Sequence, residues 1–306
     1  MTAPAVSAGQ RLGLPVLFVL LWSTGFVGAK YGLPYAEPFT FLGVRLVAAA
    51  VLLALLALVM RSARPASRAQ TGHAAVAGVL LHAGYLGGVF YAISIGVPAG
   101  VAAVIVSLQP VLTAFLANQL LQEHPTRRQW LGLVLGVLGV ALVVGPGIAA
   151  SPGSDVPLPV AGLASCLVAL ASGTAGTLYQ KRNGDAVPLV WGTAVQYAAA
   201  AVPLLLLAVG TERMTIRWTG NFVLALVWLV LVLSIGAVLL LLLLLRRGTA
   251  SSVSSLLYLV PPATAVEAYL LFGERLSALS LVGIGVTAAG VALVVLPEPR
   301  RTGSPG

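Results

Sequence analysis

Runs of apolar residues, each near twenty long, alternate with short polar joints along the chain. They fall at 14–31, 38–60, 73–95, 97–121, 128–146, 158–180, 188–209, 220–245, 249–272 and 277–296. A helix rising 1.5 Å per residue needs about 20 residues to cross roughly 30 Å of hydrocarbon, so the pattern predicts ten membrane-spanning helices. Prolines and glycines mark the joints, as at Gly96-Val97-Pro98 and His124-Pro125. The longest joint, Gly145–Pro159 (GPGIAASPGSDVPLP), is turn-forming throughout and divides the spans five and five.

The halves repeat one another. Ser107–Val144 aligns without a gap on Tyr258–Val295, 151 residues later, with 14 of 38 positions identical. Shared apolar composition inflates such a score. Matched pairs of less common residues carry the weight: Pro110/Pro261, Thr113/Thr264, Glu123/Glu274, Gly132/Gly283 and Gly139/Gly290. The reading divides the chain into a tail 1–13, a first repeat 14–146, a linker 147–157, a second repeat 158–296 and a tail 297–306.

Composition agrees that the solvent is lipid, since 59% of the residues are hydrophobic and 8% charged, against about a quarter charged in soluble domains. The net charge of +9 is spread in ones to threes between apolar runs, so nucleic acid is not an expected partner. One cysteine, Cys166, leaves no internal disulfide and no cysteine metal cluster to expect. The uncharged start, Met1–Gln10, reads as no removable signal peptide. With the N-terminus in the cytoplasm, one face holds Arg11, Arg61, Arg64, Arg68, Arg127, Arg128, Lys181, Arg182, Arg246, Arg247, Arg300 and Arg301. The other holds Lys30, Arg213, Arg217 and Arg275, so the positive-inside rule predicts cytoplasmic termini; the expected location is a plasma (bacterial inner) membrane. An odd number of spans per half then makes the fold an all-α membrane bundle of two inverted five-helix repeats, the architecture of secondary transporters.

Polar side chains are unevenly shared. Span 5 has none between its ends and span 10 has Ser280 and Thr287, whereas spans 1, 3, 4, 6, 7 and 9 carry Ser23, Thr24, His82, Tyr85, Tyr91, Gln109, Thr174, Tyr179, Gln196, Tyr258 and Glu267. Polar groups in hydrocarbon face protein or water, so this set is expected to line a cavity, with spans 5 and 10 packed outside it through their glycines. Arg45 and Glu267 are the clearest intramembrane charges, both about 10 Å below the outer face by helical rise. They are expected either to face one vestibule as a separable pair or to stand apart, Arg45 bonding backbone carbonyls.

Leu21-Trp22-Ser23-Thr24-Gly25-Phe26-Val27-Gly28-Ala29-Lys30, then Pro38 and Arg45, resembles the opening signature of the EamA-type drug/metabolite transporters. Leu108-x-Pro110…Glu123 and Leu259-x-Pro261…Gly273-Glu274-Arg275 resemble that family's closing motif, once in each half. The resemblance implies ten helices in two inverted repeats, a central cavity without the fifth and tenth helices, and transport of small metabolites, commonly export of amino acids or related compounds. Many relatives have Asn where this chain has Gly25, so that contact is not carried over.

The candidate substrate-binding residues are therefore Trp22, Thr24, Arg45, His82, Tyr85, Gln109, Tyr258 and Glu267, with Pro110 and Pro261 as candidate hinges. Each has a plainer reading. Trp22 fills space between helices as readily as it stacks on a ligand, and a lone buried histidine is more often structural than proton-carrying. His82 and Tyr85, three apart, are expected to point into one region; mid-span prolines bend helices with or without a function. Glu123 and Glu274 are expected to anchor loops at the membrane edge. An intramembrane enzyme is the rival class, but His73, His82 and His124 are far apart in sequence and no HExxH, GxSxG or paired acidic motif occurs. A channel is the third, and no repeated charged ring is present. No GxxxxGK loop occurs, so a gradient is the expected energy source, with no cofactor, and a proton is one candidate coupling ion. The expected partners are a small-molecule substrate and the lipid bilayer.

Overall fold

A computed structural model of the protein describes residues 8–120, 127–149, 158–184, 187–237, 240 and 259–295. Apolar runs that cannot leave backbone groups bare in lipid close their hydrogen bonds along the chain, and helices result. In chain order they are α1 (Ala8–Gly32), α2 (Pro38–Val59), α3 (Arg68–Ser94), α4 (Ala99–Val106 and Gln109–Leu120), α5 (Arg127–Ala149), α6 (Val160–Asn183), α7 (Leu189–Thr211), α8 (Gly220–Ala237), α9 (Val260–Phe272) and α10 (Ala278–Val295). Six of them, α1, α2, α3, α6, α7 and α8, are long and apolar enough to cross a membrane. Their outward faces stay greasy, with Leu206 68% and Val168 61% exposed. Among the described residues the extended structure is a single bridge, Ala36 to Ile216.

The 151-residue interval seen in one stretch of sequence runs through the fold. It carries Pro38 at the start of α2 to Leu189 at the start of α7, and Gln109 in α4 to Val260 at the start of α9. It also carries Arg127 to Ala278 and the last residue of α1, Gly32, to Asn183 at the end of α6. Two departures from α geometry repeat as well: α3 is π-helical over Val79–Gly84 and α8 over Trp228–Ala237.

Packing follows the same relation. α1 packs on α8 and α9 where α6 packs on α3 and α4, and α3 lies on α7 as α8 lies on α2. The self-paired contacts are α2 on α7, α4 on α9 and α5 on α10. That pattern is a two-fold exchange of the halves. Direction is inverted: the end of α1, the starts of α2, α4 and α8, and the ends of α7 and α9 share one end of the bundle, joined by Arg217 N to Tyr35 O at 2.8 Å and by the Ala36–Ile216 bridge. At the opposite end His73 Nδ1 of α3 meets the Tyr179 hydroxyl of α6 at 2.9 Å, and Arg64 lies over Trp191 at the start of α7.

α5 and α10 form a glycine-lined pair beside the bundle. A Cβ on Gly139 would stand 2.6 Å from Gly283 O, and one on Gly283 would stand 2.6 Å from Gly139 O. Only glycine permits that approach. The two polar residues of α10 are spent inside this contact, Ser280 donating to Val143 O at 3.3 Å and Thr287 to Gly283 O at 2.9 Å. α9 ends on Gly273 at φ 67°, the left-handed cap that glycine adopts without a steric cost.

The expected mid-span kink at Pro110 is a full break. The helix stops at Val106, turns through Ser107 and Leu108, and restarts at Gln109, so Pro110 sits in a first turn where its missing N–H costs nothing. Pro261 likewise stands in the first turn of α9. The run 249–258, assigned from sequence to the same span, lies outside the described residues.

Candidate functional site

The polar side chains singled out in the sequence gather in three places rather than one. At the centre, where α2, α3, α7 and α8 meet, Arg45 is 3% exposed. Its Nη2 donates to Ser234 Oγ at 3.5 Å, its guanidinium lies 5.9 Å from the Phe90 ring centre, and its Nε is buried with no partner. Ser234 reaches it because the π-helical stretch of α8 carries its hydroxyl to Leu229 O, five residues back, at 3.0 Å. Close by, His82 Nε2 meets Gln196 Oε1 at 3.3 Å and its ring packs edge-on against Tyr197 at 4.5 Å. Gln196 also donates to Gln180 Oε1 at 3.0 Å.

The 151-residue interval relates these two ties: Arg45 of α2 corresponds to Gln196 of α7, and each reaches a π-helical stretch of the other repeat. Sequence reasoning passed over Ser234 and Tyr197. Extending the repeat alignment upstream to Arg45 and Gln196 was the signal that could have found them.

The second place joins α3, α4 and α6. Gln109 Nε2 donates to Gly173 O at 3.2 Å and to Thr177 Oγ1 at 2.8 Å, and a Cβ on Gly173 would meet the Tyr85 ring at 2.8 Å. His82 and Tyr85 thus face different neighbours, against the expectation of one region. A π turn holds more residues than an α turn, so positions three apart diverge further around the axis.

The third place is on α1, α8 and α9. Trp22 packs on Phe18 at 5.3 Å, and Thr24 Oγ1 accepts the Trp228 indole N–H at 3.0 Å while donating to Leu21 O at 2.6 Å. Ser23 Oγ lies 2.7 Å from Glu267 Oε1 and 2.9 Å from Leu20 O. One hydroxyl proton cannot fully serve both oxygens. Glu267 Oε2 is buried without a partner, as are the Thr113 and Thr264 hydroxyls, a pair again 151 apart. Tyr258 and Glu123 lie outside the described residues.

Arg45 and Glu267 do not form a pair. The one ion pair among the described residues is Lys30 with Glu274, at the bundle end. It crosses the repeats from α1 to the α9–α10 joint, and Lys30 also lies 4.9 Å from the Phe272 ring centre. The reading of Glu274 as a loop anchor concerned the same group; its cation is Lys30 rather than a neighbouring arginine. Beside it Glu212, at the end of α7, accepts from Phe39 N, Thr40 N and Thr40 Oγ1, each at 2.7 Å, so a carboxylate caps the start of α2. Glu37 returns the contact by accepting from Arg213 N at 2.8 Å. These contacts tie the two repeats together at that end. Among the described residues no three His, Cys, Asp or Glu side chains gather to hold a metal.

Comparison with known proteins agrees with this architecture. A solved crystal structure matches over 94% of this chain and 96% of its own at TM-score 0.63 and 18% identity, a likeness of fold. The chain is 29% identical over 287 residues to the "Uncharacterized transporter YvbV" of Bacillus subtilis (strain 168), covering 92% of this chain and 90% of that one. It is 27% identical to the "Uncharacterized inner membrane transporter YedA" of Escherichia coli (strain K12), covering 90% and 88%. It is 26% identical to a "Probable amino-acid metabolite efflux pump" of Salmonella typhimurium, covering 94% and 96%. The EamA-like transporter family matches twice, over residues 12–145 and 160–296. With two matched halves, a two-fold bundle and polar groups buried at its centre, the chain belongs to the EamA-like transporter family and is a multi-pass membrane transporter.

Proposed function

We propose that the protein is a secondary transporter that exports a small metabolite of the amino-acid type across a bacterial inner membrane, its two repeats (14–146 and 158–296) alternating access to a central site. The observation that carries this is the burial of Arg45, Gln196 and Ser234, with half-buried His82 beside them, where α2, α3, α7 and α8 of the inverted repeats meet. Charged and amide groups in hydrocarbon are costly and mark substrate paths. The end tied by Lys30–Glu274 and Glu212 is read as the external one, since the charge distribution favours cytoplasmic termini. The relatives named as an inner membrane transporter and an amino-acid metabolite efflux pump support the membrane and the substrate class.

The substrate residues proposed are Trp22, Thr24, Arg45, His82, Tyr85, Gln109, Tyr258 and Glu267, with the break at Pro110 and the start of α9 at Pro261 as the flexing points. A proton is the proposed coupling ion, with Glu267 its carrier. A proton on that carboxyl completes the Ser23 contact while Ser23 keeps Leu20, which the hydroxyl alone cannot do.

Purified protein in liposomes, loaded with a mixture of amino acids and assayed by counterflow of the radiolabelled mixture, tests the reading. Exchange above protein-free vesicles, enhanced by an imposed pH difference, is expected. Flux equal to that of empty vesicles for every compound would refute it.

A further inference from the structure

Arg45 is the buried charge that the fold leaves uncompensated. All four acidic residues among the described ones are engaged elsewhere: Glu37 with Arg213 N, Glu212 with the start of α2, Glu274 with Lys30, and Glu267 with Ser23. A guanidinium carries five N–H donors in a planar fork. Here one contact is made, at the long distance of 3.5 Å to Ser234, and Nε has none. The alternative read from the sequence, bonds to backbone carbonyls, does not occur among the described residues. The Phe90 ring at 5.9 Å contributes weakly.

A charge is not needed there to hold the helices together. The corresponding position of the other repeat, Gln196, makes the equivalent crossing with a neutral amide and is bonded to both His82 and Gln180. A buried lone charge costs several kcal/mol, and such groups persist where a partner arrives. The surroundings suit an arriving anion: Tyr197, 4% exposed, lies beside Arg45, and its hydroxyl, now shared with Ser234, can turn to a ligand.

We propose that Arg45 is the anchor for a carboxylate on the transported molecule, its Nε and Nη2 taking the two oxygens as a fork while the Tyr197 hydroxyl donates to one of them. The inference rests on the transporter reading and narrows it to molecules bearing a single carboxylate. One cation balances one negative charge, and Arg45 is the one Lys or Arg buried among the described residues. A phosphate dianion would bring a second, unbalanced charge into the same low-dielectric centre.

The test has two readouts. First, thermal unfolding of the detergent-purified protein is followed with sodium propionate or propionamide at matched ionic strength. Propionate raises the Tm of the wild type and of the surface variant Arg68→Gln, leaves Arg45→Gln unmoved, and propionamide moves none of them. Arg45→Lys, which keeps the charge and loses the fork, retains less than half of the shift and serves as the comparison if Arg45→Gln does not accumulate. Second, inhibition of amino-acid counterflow is compared for propionate and propionamide. Wild type favours the acid by on the order of 10–100-fold, the worth of a charge-assisted hydrogen-bond pair, and Arg45→Gln loses that preference. A propionate response that is absent in wild type, or equal in wild type and Arg45→Gln, overturns the anchor. A propionate shift without any counterflow keeps the anchor and removes the transporter reading instead.

Discussion

Ser23 has one proton and two oxygens within reach, 2.7 and 2.9 Å away, and the nearer belongs to Glu267. The shortage fits a carboxyl that is protonated for part of a cycle. Glu267→Gln keeps a donor at that place and removes the titration. Counterflow is expected to persist within about threefold, while accumulation against a gradient driven by a pH difference is lost; accumulation matching wild type would remove Glu267 as proton carrier. Gln109, besides its proposed place among the substrate residues, ties α4 to α6 through two hydrogen bonds. Gln109→Leu strands no charge, and interhelical hydrogen bonds in membranes average about 0.6 kcal/mol. A fall of only a few degrees in Tm, read by thermal unfolding in detergent, is expected.

At the scale of elements, α5 and α10 are held by backbone approach rather than by side-chain chemistry. Gly139→Leu would drive a side chain into the Gly283 carbonyl, and overpacking of this kind costs about 1–3 kcal/mol or more where the opposing atom is backbone. Loss of the monodisperse peak in size-exclusion chromatography is the expected result. Leu281→Ala, on the exposed face of the partner helix α10, should elute as wild type does. α3 and α8 show the opposite case. Their π-helical stretches widen the turn just where His82 and Ser234 meet the other repeat, so an irregular element places the polar contact.

Over the whole molecule the Lys30–Glu274 pair spans both repeats at one end of the bundle, together with Ala99 N, which donates to Glu274 Oε1 at 3.5 Å. Glu274→Lys and Lys30→Glu are each expected to slow counterflow at least severalfold, and the double exchange to recover part of the rate; a double variant no better than either single one would show that the pair does not govern closure. The same 151-residue interval takes Lys30 to Lys181 and Glu274 to Glu123, the latter outside the described residues. Orientation is testable separately. In a Cys166→Ser background, cysteine at Ser67 should react with an impermeant maleimide only from the cytoplasmic side and cysteine at Arg213 only from outside. Labelling of both from one side would invalidate the inverted arrangement.

The one-dimensional pattern alone determined a good deal. Hydrophobic runs set by bilayer thickness counted the helices, and a repeat at constant spacing with an odd number of spans made the halves inverted. The absence of polar groups in span 5 placed it outside the polar centre, and the glycines of α5 and α10 indicated close packing. These features are local or periodic, so they survive projection onto a string of letters. Tertiary structure decided what contacts across the repeats decide. Helical rise puts Arg45 and Glu267 at one expected depth, yet it gives depth and not azimuth, and they face different helices. His82 and Tyr85 part because a π turn, which no simple periodicity announces, rotates them away from each other. Pro110 restarts a helix instead of bending one, since the break belongs to the turn at Ser107 and Leu108 before it. Ser234 becomes the partner of Arg45 only when an inverted copy of the same five helices is laid against the first, and that juxtaposition exists nowhere in the linear chain.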